Sequence, residues 1–160
     1  MDYMFLKSGT DVRGIASDLG GKAVELTDKA VYDISAAFVV WCMNKTNTPS
    51  NELKISLGHD SRITADRICN AVKEAFVNAG VTVYECGLSS TPAMFMTTVD
   101  LKTDAAIQIT ASHHPYNRNG LKFFTKEGGL EGKDITAILT LALNDEKIEG
   151  SGSVTDCNYL

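Results

Sequence analysis

One segment, residues 110–122, brings together several side chains that can take part in catalysis. It combines the hydroxyl of Ser112 with two imidazoles, a guanidinium and an ammonium, on His113, His114, Arg118 and Lys122. A serine hydroxyl is a poor nucleophile by itself, but a nearby base or cation lets it accept an acyl or phosphoryl group. Since the segment directly follows a predicted strand, it lies where α/β sheets place their chemistry. We therefore expect a group-transfer site at Ser112, with an ordinary polar loop closed by a proline and an Asn-Gly turn as the alternative.

The usual nucleotide-binding and hydrolase motifs do not account for this segment. Residues 128–134 superficially resemble a Walker loop, but the glycine spacing is wrong and Asp134 stands where a serine or threonine must hold magnesium. No G-x-G-x-x-G motif follows a strand, and the chain has no G-x-S-x-G motif. These nucleotide-binding and serine-hydrolase classes are therefore excluded.

Composition and charge indicate an ordinary intracellular globular domain. The chain has 160 residues, 44% of them hydrophobic, and a formal net charge of −5, which argues against nonspecific binding to nucleic acid or an anionic membrane. No apolar run approaches the ~20 residues that span a bilayer. The four cysteines lack C-x-x-C spacing, so we expect neither a zinc site nor disulfides and favour a soluble, cytoplasmic protein in a reducing compartment.

The elements that must position the segment follow from hydrophobic periodicity. Alternating apolar residues predict strands, and apolar residues at helical spacing predict helices. The predicted strands are 53–57, 81–85, 105–109 and 121–125, and the predicted helices are 28–45, 64–79 and 133–146, with a short helical segment at 93–99 capped by Thr91. Strands that alternate with helices predict an α/β fold, a layered mixed, mainly parallel sheet covered by helices.

A change of composition near Ile148 suggests where the domain ends. Residues 149–158 are polar and include two glycines and two serines in a row of four. We therefore expect one domain over residues 1–148, followed at 149–160 by a polar linker or the end of an expressed fragment.

The reactive segment resembles the active-site serine loop of the α-D-phosphohexomutases, the family of phosphoglucomutases and phosphomannomutases. Residues 110–115 (TASHHP) and 119–122 (NGLK) are similar to the family pattern T-[AG]-S-H-N-P followed by N-G-[hydrophobic]-K. The chain departs from this pattern at His114, where asparagine is usual.

Three further segments agree with the same family and occur in its order. Residues 9–14 (GTDVRG) resemble its G-T-x-x-[hydrophobic]-R-G loop, residues 58–62 (GHDSR) its G-x-D-x-R motif, and residues 87–92 (GLSSTP) its G-x-x-x-T-P motif. The resemblance therefore extends over residues 9–122 and covers domain I, the first of the family's four domains.

The resemblance implies reversible transfer of phosphate between C1 and C6 of a hexose phosphate, through a phosphoserine and a hexose 1,6-bisphosphate. Ser112 is then the phosphorylated residue, and His113 and Lys122 are the neighbouring acid or base groups. Arg13 and Arg62 are candidates to bind substrate phosphate or to hold the loop. For both arginines the alternative is a structural ion pair, with Asp11 or Asp60.

The resemblance also implies Mg2+, bridging the phosphate on Ser112 and three aspartates of a D-G-D-G-D motif in the second domain, and hexose 1,6-bisphosphate as activator. This chain has no such aspartate motif, so domains II–IV of the same enzyme would be its partners. We expect the fragment alone to be inactive and unable to choose among glucose, mannose and N-acetylhexosamine phosphates. The alternative is a stand-alone module that binds a sugar phosphate or another anion without turnover.

Overall fold

The segments with period-two alternation form the middle of a mixed β-sheet. The structure is a computed structural model that describes residues 1–111 and 114–157. Its strands are β1 Lys7–Ser8, β2 Asp11–Ile15, β3 Lys54–His59, β4 Thr82–Leu88, β5 Ala105–Ile109, β6 Arg118–Thr125, β7 Gly128–Gly129 and β8 Ser153–Asp156. Its α-helices are α1 Asp28–Thr46, α2 Ala65–Asn78, α3 Thr91–Asp100 and α4 Gly132–Leu143. The α/β fold with a layered mixed sheet is confirmed, and so is each of the predicted elements.

The strand order places the serine loop near the middle of the sheet. The order is β1-β2-β6-β5-β3-β4-β8, with β7 paired to β6. Strands β5, β3, β4 and β8 are parallel to their neighbours in this half, whereas β1, β2, β6 and β7 pair in antiparallel fashion and β6 runs antiparallel to β5. The carboxyl ends of β3, β4 and β5 therefore meet the start of β6 at one edge, where the loop between β5 and β6 begins and ends.

Local capping explains where the helices start. The Thr27 hydroxyl accepts a hydrogen bond from the Ala30 amide at the start of α1, as predicted. At α3 the cap is Ser90, whose hydroxyl accepts from the Ala93 amide, so the predicted cap at Thr91 is one residue too late and Pro92 occupies the first turn. Helix α4 has a capping box between Glu131 and Asp134.

Helices cover the two faces of the sheet to different extents. One face packs against α1, α2 and α4 in the main core, which includes Ile55, Ile107 and Phe123. The opposite face carries α3 and a smaller cluster that includes Met94 and Phe124. Because side chains alternate along a strand, β2 and β6 turn every second residue toward this less covered face.

The polar segment after residue 148 contributes a strand, although its composition predicted a linker. Strand β8 pairs with β4 in parallel, from Thr82 with Ser153 to Glu85 with Asp156. All four of its side chains are exposed, so the strand depends on backbone hydrogen bonds and leaves no hydrophobic signal. The limit of the domain remains a prediction.

Within the described part of the chain, no helix is both long and apolar enough to cross a membrane.

Candidate active site

The loop between β5 and β6 contains the predicted group-transfer site. Ser112 and His113 lie outside the described residues, whereas Ala111 and His114 on either side are described. The loop is anchored to the sheet because the Thr110 amide donates to the Gly120 carbonyl at 3.0 Å. Its second half is turned back by a 2.9 Å hydrogen bond from the Arg118 amide to the Pro115 carbonyl.

Neighbouring backbone also holds this second half in place. The amides of Ala16 and Ser17, just after β2, donate to the Asn117 carbonyl at 2.7 and 3.1 Å. The buried Asn119 side chain donates to the Thr64 hydroxyl at 2.9 Å and accepts from the Gly120 amide. The serine loop is thus tied both to β2 and to the start of α2.

Lys122 and Arg13 meet at a single carboxylate, Asp11. Strand β2 runs beside β6 with Asp11 opposite Lys122 and Arg13 opposite Gly120. The Lys122 ammonium donates to Asp11 Oδ1 at 3.1 Å, and the Arg13 guanidinium donates to Asp11 Oδ2 at 2.5 Å. Only 4% of the Asp11 side chain is exposed, against 27% for Lys122. The ion pair foreseen as the alternative for Arg13 is therefore present, and it includes Lys122.

Gly120 lets these side chains cross the sheet. A Cβ atom at this position would overlap the Val12 carbonyl oxygen and would lie 2.6 Å from Arg13 Cγ. The absence of a side chain leaves room for the stem of Arg13 to pack over β6 at this position. This explains physically why a glycine precedes Leu121 and Lys122.

The cluster is rich in positive charge. By strand register, Asp11 and Arg13 of β2 share one sheet face with Arg118 and Lys122 of β6. Three cationic side chains of these two strands, of which Arg13 and Lys122 contact Asp11, therefore share the face with one carboxylate, although the whole chain has a net charge of −5. The Nε of Arg118 is buried without a hydrogen-bond partner among the described residues. Such a local excess of cations favours an anionic ligand.

Arg62 contacts the backbone of the serine loop. Its Nη1 donates to the Pro115 carbonyl at 2.8 Å and to the Arg118 carbonyl at 3.3 Å. Its Nε lies 3.5 Å from Asp60 Oδ2. Asp60 in turn accepts a 2.7 Å hydrogen bond from the Thr110 hydroxyl. The structure thus places Arg62 against the loop backbone, with the predicted ion pair to Asp60.

An open depression of about 390 Å³ adjoins the loop. It is lined by Ser61, Arg62, Ile63, His114 and Tyr116. Ile63 and Tyr116 are both more than half exposed. The loop therefore faces a wide, open surface.

Sequence reasoning named Asp11 and Asp60 only as alternative ion-pair partners. Both lie inside the motif segments, at residues 9–14 and 58–62. The signal that could have singled them out is a carboxylate two residues before each arginine, a spacing that in β2 puts Asp11 and Arg13 on the same side of the strand. Their hydrogen bonds to the loop and to Lys122 depend on contacts distant in the chain.

The described residues do not fit a complete magnesium site. Mg2+ prefers several oxygen ligands in octahedral geometry, and residues 1–111 and 114–157 contain no group of three or more His, Cys, Asp or Glu side chains able to hold a metal. Asp11 is bound by two cations and Asp60 by Arg62 and Thr110. Neither carboxylate is therefore free to act as a metal ligand in this arrangement.

Comparison with known proteins identifies the family. A family model described as phosphoglucomutase/phosphomannomutase, alpha/beta/alpha domain I, matches residues 7–149. The phosphoglucosamine mutase of Alkaliphilus metalliredigens (strain QYMF) is 34% identical over 145 residues, which cover 88% of this chain and 30% of that protein. The phosphoglucosamine mutase of Alkaliphilus oremlandii (strain OhILAs) is 37% identical over 121 residues, which cover 75% of this chain and 25% of that protein.

A solved structure shares the fold. The crystal structure of a phosphoglucomutase/phosphomannomutase family protein from Burkholderia thailandensis matches with a TM-score of 0.82 at 20% identity, over 98% of this chain and 33% of that chain. This chain spans about a quarter to a third of the length of the relatives it matches. On its sequence and its fold, it belongs to the phosphoglucomutase/phosphomannomutase family and corresponds to the family's N-terminal α/β/α domain I.

Proposed function

We propose that this chain is the phosphoserine-carrying domain of a mutase that moves phosphate between C1 and C6 of a hexose phosphate. The observation that carries the proposal is the cation-rich face formed by Arg13, Arg118 and Lys122 at the strands that flank the serine loop. A phosphorylated Ser112 would bring a charge of about −1.5 to −2 at neutral pH. An otherwise acidic chain thus concentrates positive charge beside the segment where that phosphate would be placed.

In the proposed reaction, a sugar hydroxyl attacks the phosphorus of phosphorylated Ser112. A bond forms between the sugar oxygen and phosphorus, and the bond from phosphorus to the serine oxygen breaks. The hydroxyl proton passes to a base, and the serine oxygen receives a proton from an acid. The resulting bisphosphate reorients in the active site. The same exchange in reverse then returns its other phosphate to Ser112.

Electrostatic stabilisation is the main contribution expected from this domain. Phosphoryl transfer spreads negative charge over the transferring oxygens, and catalysis consists largely of positioning and charge neutralisation. The Lys122 side chain is fixed by its 3.1 Å hydrogen bond to Asp11, so we assign it to charge stabilisation beside the loop and, on the sequence resemblance, to acid or base catalysis. We assign Arg13 to the same charge cluster, and we assign His113, on the sequence resemblance, to proton transfer at Ser112.

The other domains complete the proposed enzyme. On the sequence resemblance, we assign Mg2+ and the hexose 1,6-bisphosphate activator to the complete enzyme. The described residues of this chain do not assemble a metal site, so we assign the remaining metal ligands to the other domains. Sugar selection is likewise assigned to the remaining domains, which are the proposed partners of this one. The proposed location is the cytoplasm.

The relatives suggest the sugar. Both Alkaliphilus proteins are named phosphoglucosamine mutase, so we propose glucosamine phosphate as the preferred substrate of the complete enzyme, ahead of glucose and mannose phosphates. The test compares kcat/KM of the full-length enzyme for the 1-phosphates of the three sugars. A preference for glucose or mannose 1-phosphate would contradict this choice of sugar and leave the proposed reaction unaffected.

The central experiment locates the phosphate. Phosphopeptide mass spectrometry of the full-length enzyme is expected to find the phosphoryl group on Ser112. Ser112→Ala should remove nearly all mutase turnover, whereas Ser153→Ala, on the exposed strand β8, should retain it. A phosphate on another residue, with Ser112 dispensable for turnover, would overturn the assignment.

A further inference from the structure

Asp60 and Arg62 together reach both ends of the serine loop. At the start of the loop, the Thr110 hydroxyl donates to Asp60 Oδ2 at 2.7 Å. At its end, Arg62 Nη1 donates to the carbonyls of Pro115 and Arg118 at 2.8 and 3.3 Å. The two ends are thus joined through the side chains of a single short segment after β3.

The segment that carries these two side chains is itself well fixed. The Asp60 amide donates to the Ile109 carbonyl at 3.0 Å, which ties it to the last residue of β5. The Arg62 amide donates to Asp60 Oδ1 at 3.1 Å, and Arg62 Nε lies 3.5 Å from Asp60 Oδ2. Asp60 therefore orients the arginine through both carboxylate oxygens while it also accepts from Thr110.

We propose that the Asp60–Arg62 pair is a brace that positions the serine loop, and that Arg62 serves the loop rather than the substrate phosphate. The expected effect of this brace on turnover rests on the proposed function, whereas its expected effect on the stability of the loop does not. A guanidinium has a planar set of donors in fixed directions, which suits it to hold two carbonyl groups at once. A lysine ammonium offers no such fixed fork.

The surroundings of Arg62 argue against a direct phosphate contact. Its Nη1 is already bound to two carbonyl oxygens of the loop. The adjacent Asp60 carboxylate would repel a phosphate that approached the same guanidinium. By contrast, Lys122 and Arg13 lie on the face where cations outnumber carboxylates.

The kinetic test uses the full-length enzyme with Arg62→Lys, Asp60→Asn and the double variant. Misplacement of a reacting group by about 1 Å can cost on the order of 10²-fold in rate, so both single variants are expected to lower kcat by about 10–100-fold with little change in KM. Because the two side chains act as a unit, the double variant should be no worse than the poorer single variant. Lys73→Gln, which breaks a partly buried ion pair with Glu85 at 2.8 Å, is the control and should keep wild-type kcat.

A role for Arg62 as a phosphate ligand predicts a different pattern. Arg62→Lys would then raise KM with kcat largely retained, and Asp60→Asn would not reproduce its effect. That outcome overturns the proposal. If Asp60→Asn fails to fold, Thr110→Val removes the hydroxyl at nearly equal size and is expected to lower kcat with unchanged KM.

A second measurement does not depend on activity. Hydrogen exchange of this chain, followed by mass spectrometry, reports on residues 110–118, where the His114 and Arg118 amides are hydrogen-bonded. Losing hydrogen bonds to a charged group should speed exchange there by about tenfold or more in Arg62→Lys and Asp60→Asn, but not in Lys73→Gln. Unchanged exchange in both variants overturns the brace. If the full-length enzyme shows no Ser112-dependent turnover, the proposed function fails and exchange alone decides the inference.

Discussion

Replacing Asp11 by asparagine tests the charge cluster beside the serine loop. The substitution keeps the size of the side chain and removes the carboxylate that Arg13 and Lys122 share at 2.5 and 3.1 Å. Breaking a buried ion pair by removing one partner costs ~3–5 kcal/mol, because the other charge is left uncompensated. Since Lys122 keeps 27% of its side chain exposed to water, we expect the lower end, about 3 kcal/mol.

The expected loss can be measured by urea and thermal unfolding of this chain. For a domain of this size, 1 kcal/mol shifts Tm by ~2–4 °C, so Asp11→Asn should lower Tm by about 6–12 °C with an unchanged urea m-value. Glu85→Gln is the control, because 33% of the Glu85 side chain is exposed, against 4% for Asp11, so the loss of its pair with Lys73 should cost at most ~1 kcal/mol. Added phosphate should recover part of the loss by binding to the released cations.

Two results would refute this reasoning. If Asp11→Asn loses no more free energy of unfolding than Glu85→Gln, the stability of the chain does not depend on the pairing of the two cations with the carboxylate. If phosphate raises the stability of Asp11→Asn no more than that of the wild type, the released cations do not form an anion site.

Three other predictions concern packing, thiol reactivity and turnover. Gly120→Ala should destabilise the chain by ~1–3 kcal/mol because its Cβ would overlap the Val12 carbonyl oxygen, whereas Gly129→Ala, whose Cβ would meet only Phe124 at 3.9 Å, should stay within ~0.5 kcal/mol; equal unfolding free energies would contradict this. Burial raises the pKa of the Cys69 thiol to about 12, so at pH 8 it stays protonated and iodoacetamide should label the half-buried Cys157 first; equally fast labelling of Cys69 in the folded chain would refute the argument. In a coupled assay with magnesium and bisphosphate activator, this chain alone should give no detectable interconversion of hexose 1-phosphate and 6-phosphate. In the proposed enzyme, the remaining domains supply substrate orientation worth up to ~7–11 kcal/mol, so turnover of a few per second or more by this chain would show that one domain suffices.

Local pattern was enough to predict the elements that bury an apolar face. Strand β3 and helix α2 follow directly from period-two and helical spacing, because burial repeats with the period of the backbone. Strand β2 was recognised as a motif at residues 9–14 and not as a strand. Of its five residues only Val12 and Ile15 are large and apolar, and they lie three residues apart, so no apolar period of two marks the strand.

Strand β8 shows the same limit at the edge of the sheet. All its side chains are exposed, and its stability comes from backbone hydrogen bonds to β4, for which Val83 and Val154 are in register. Backbone pairing of this kind is independent of side-chain hydrophobicity, so a polar sequence looks like a linker until its partner strand is known.

The sequence by itself was enough to expect group transfer at Ser112. It shows a hydroxyl in a loop after a buried strand, with imidazole, guanidinium and ammonium groups nearby in the chain. Only the tertiary structure decided how the charges are paired. Asp11 lies 111 residues from Lys122 in sequence, yet the β2–β6 register brings them into contact. Arg62 is likewise 53 residues from the Pro115 carbonyl that it binds. Such contacts follow from which strands pair and in which register, and that choice is made by burial of the whole sheet rather than by any local pattern.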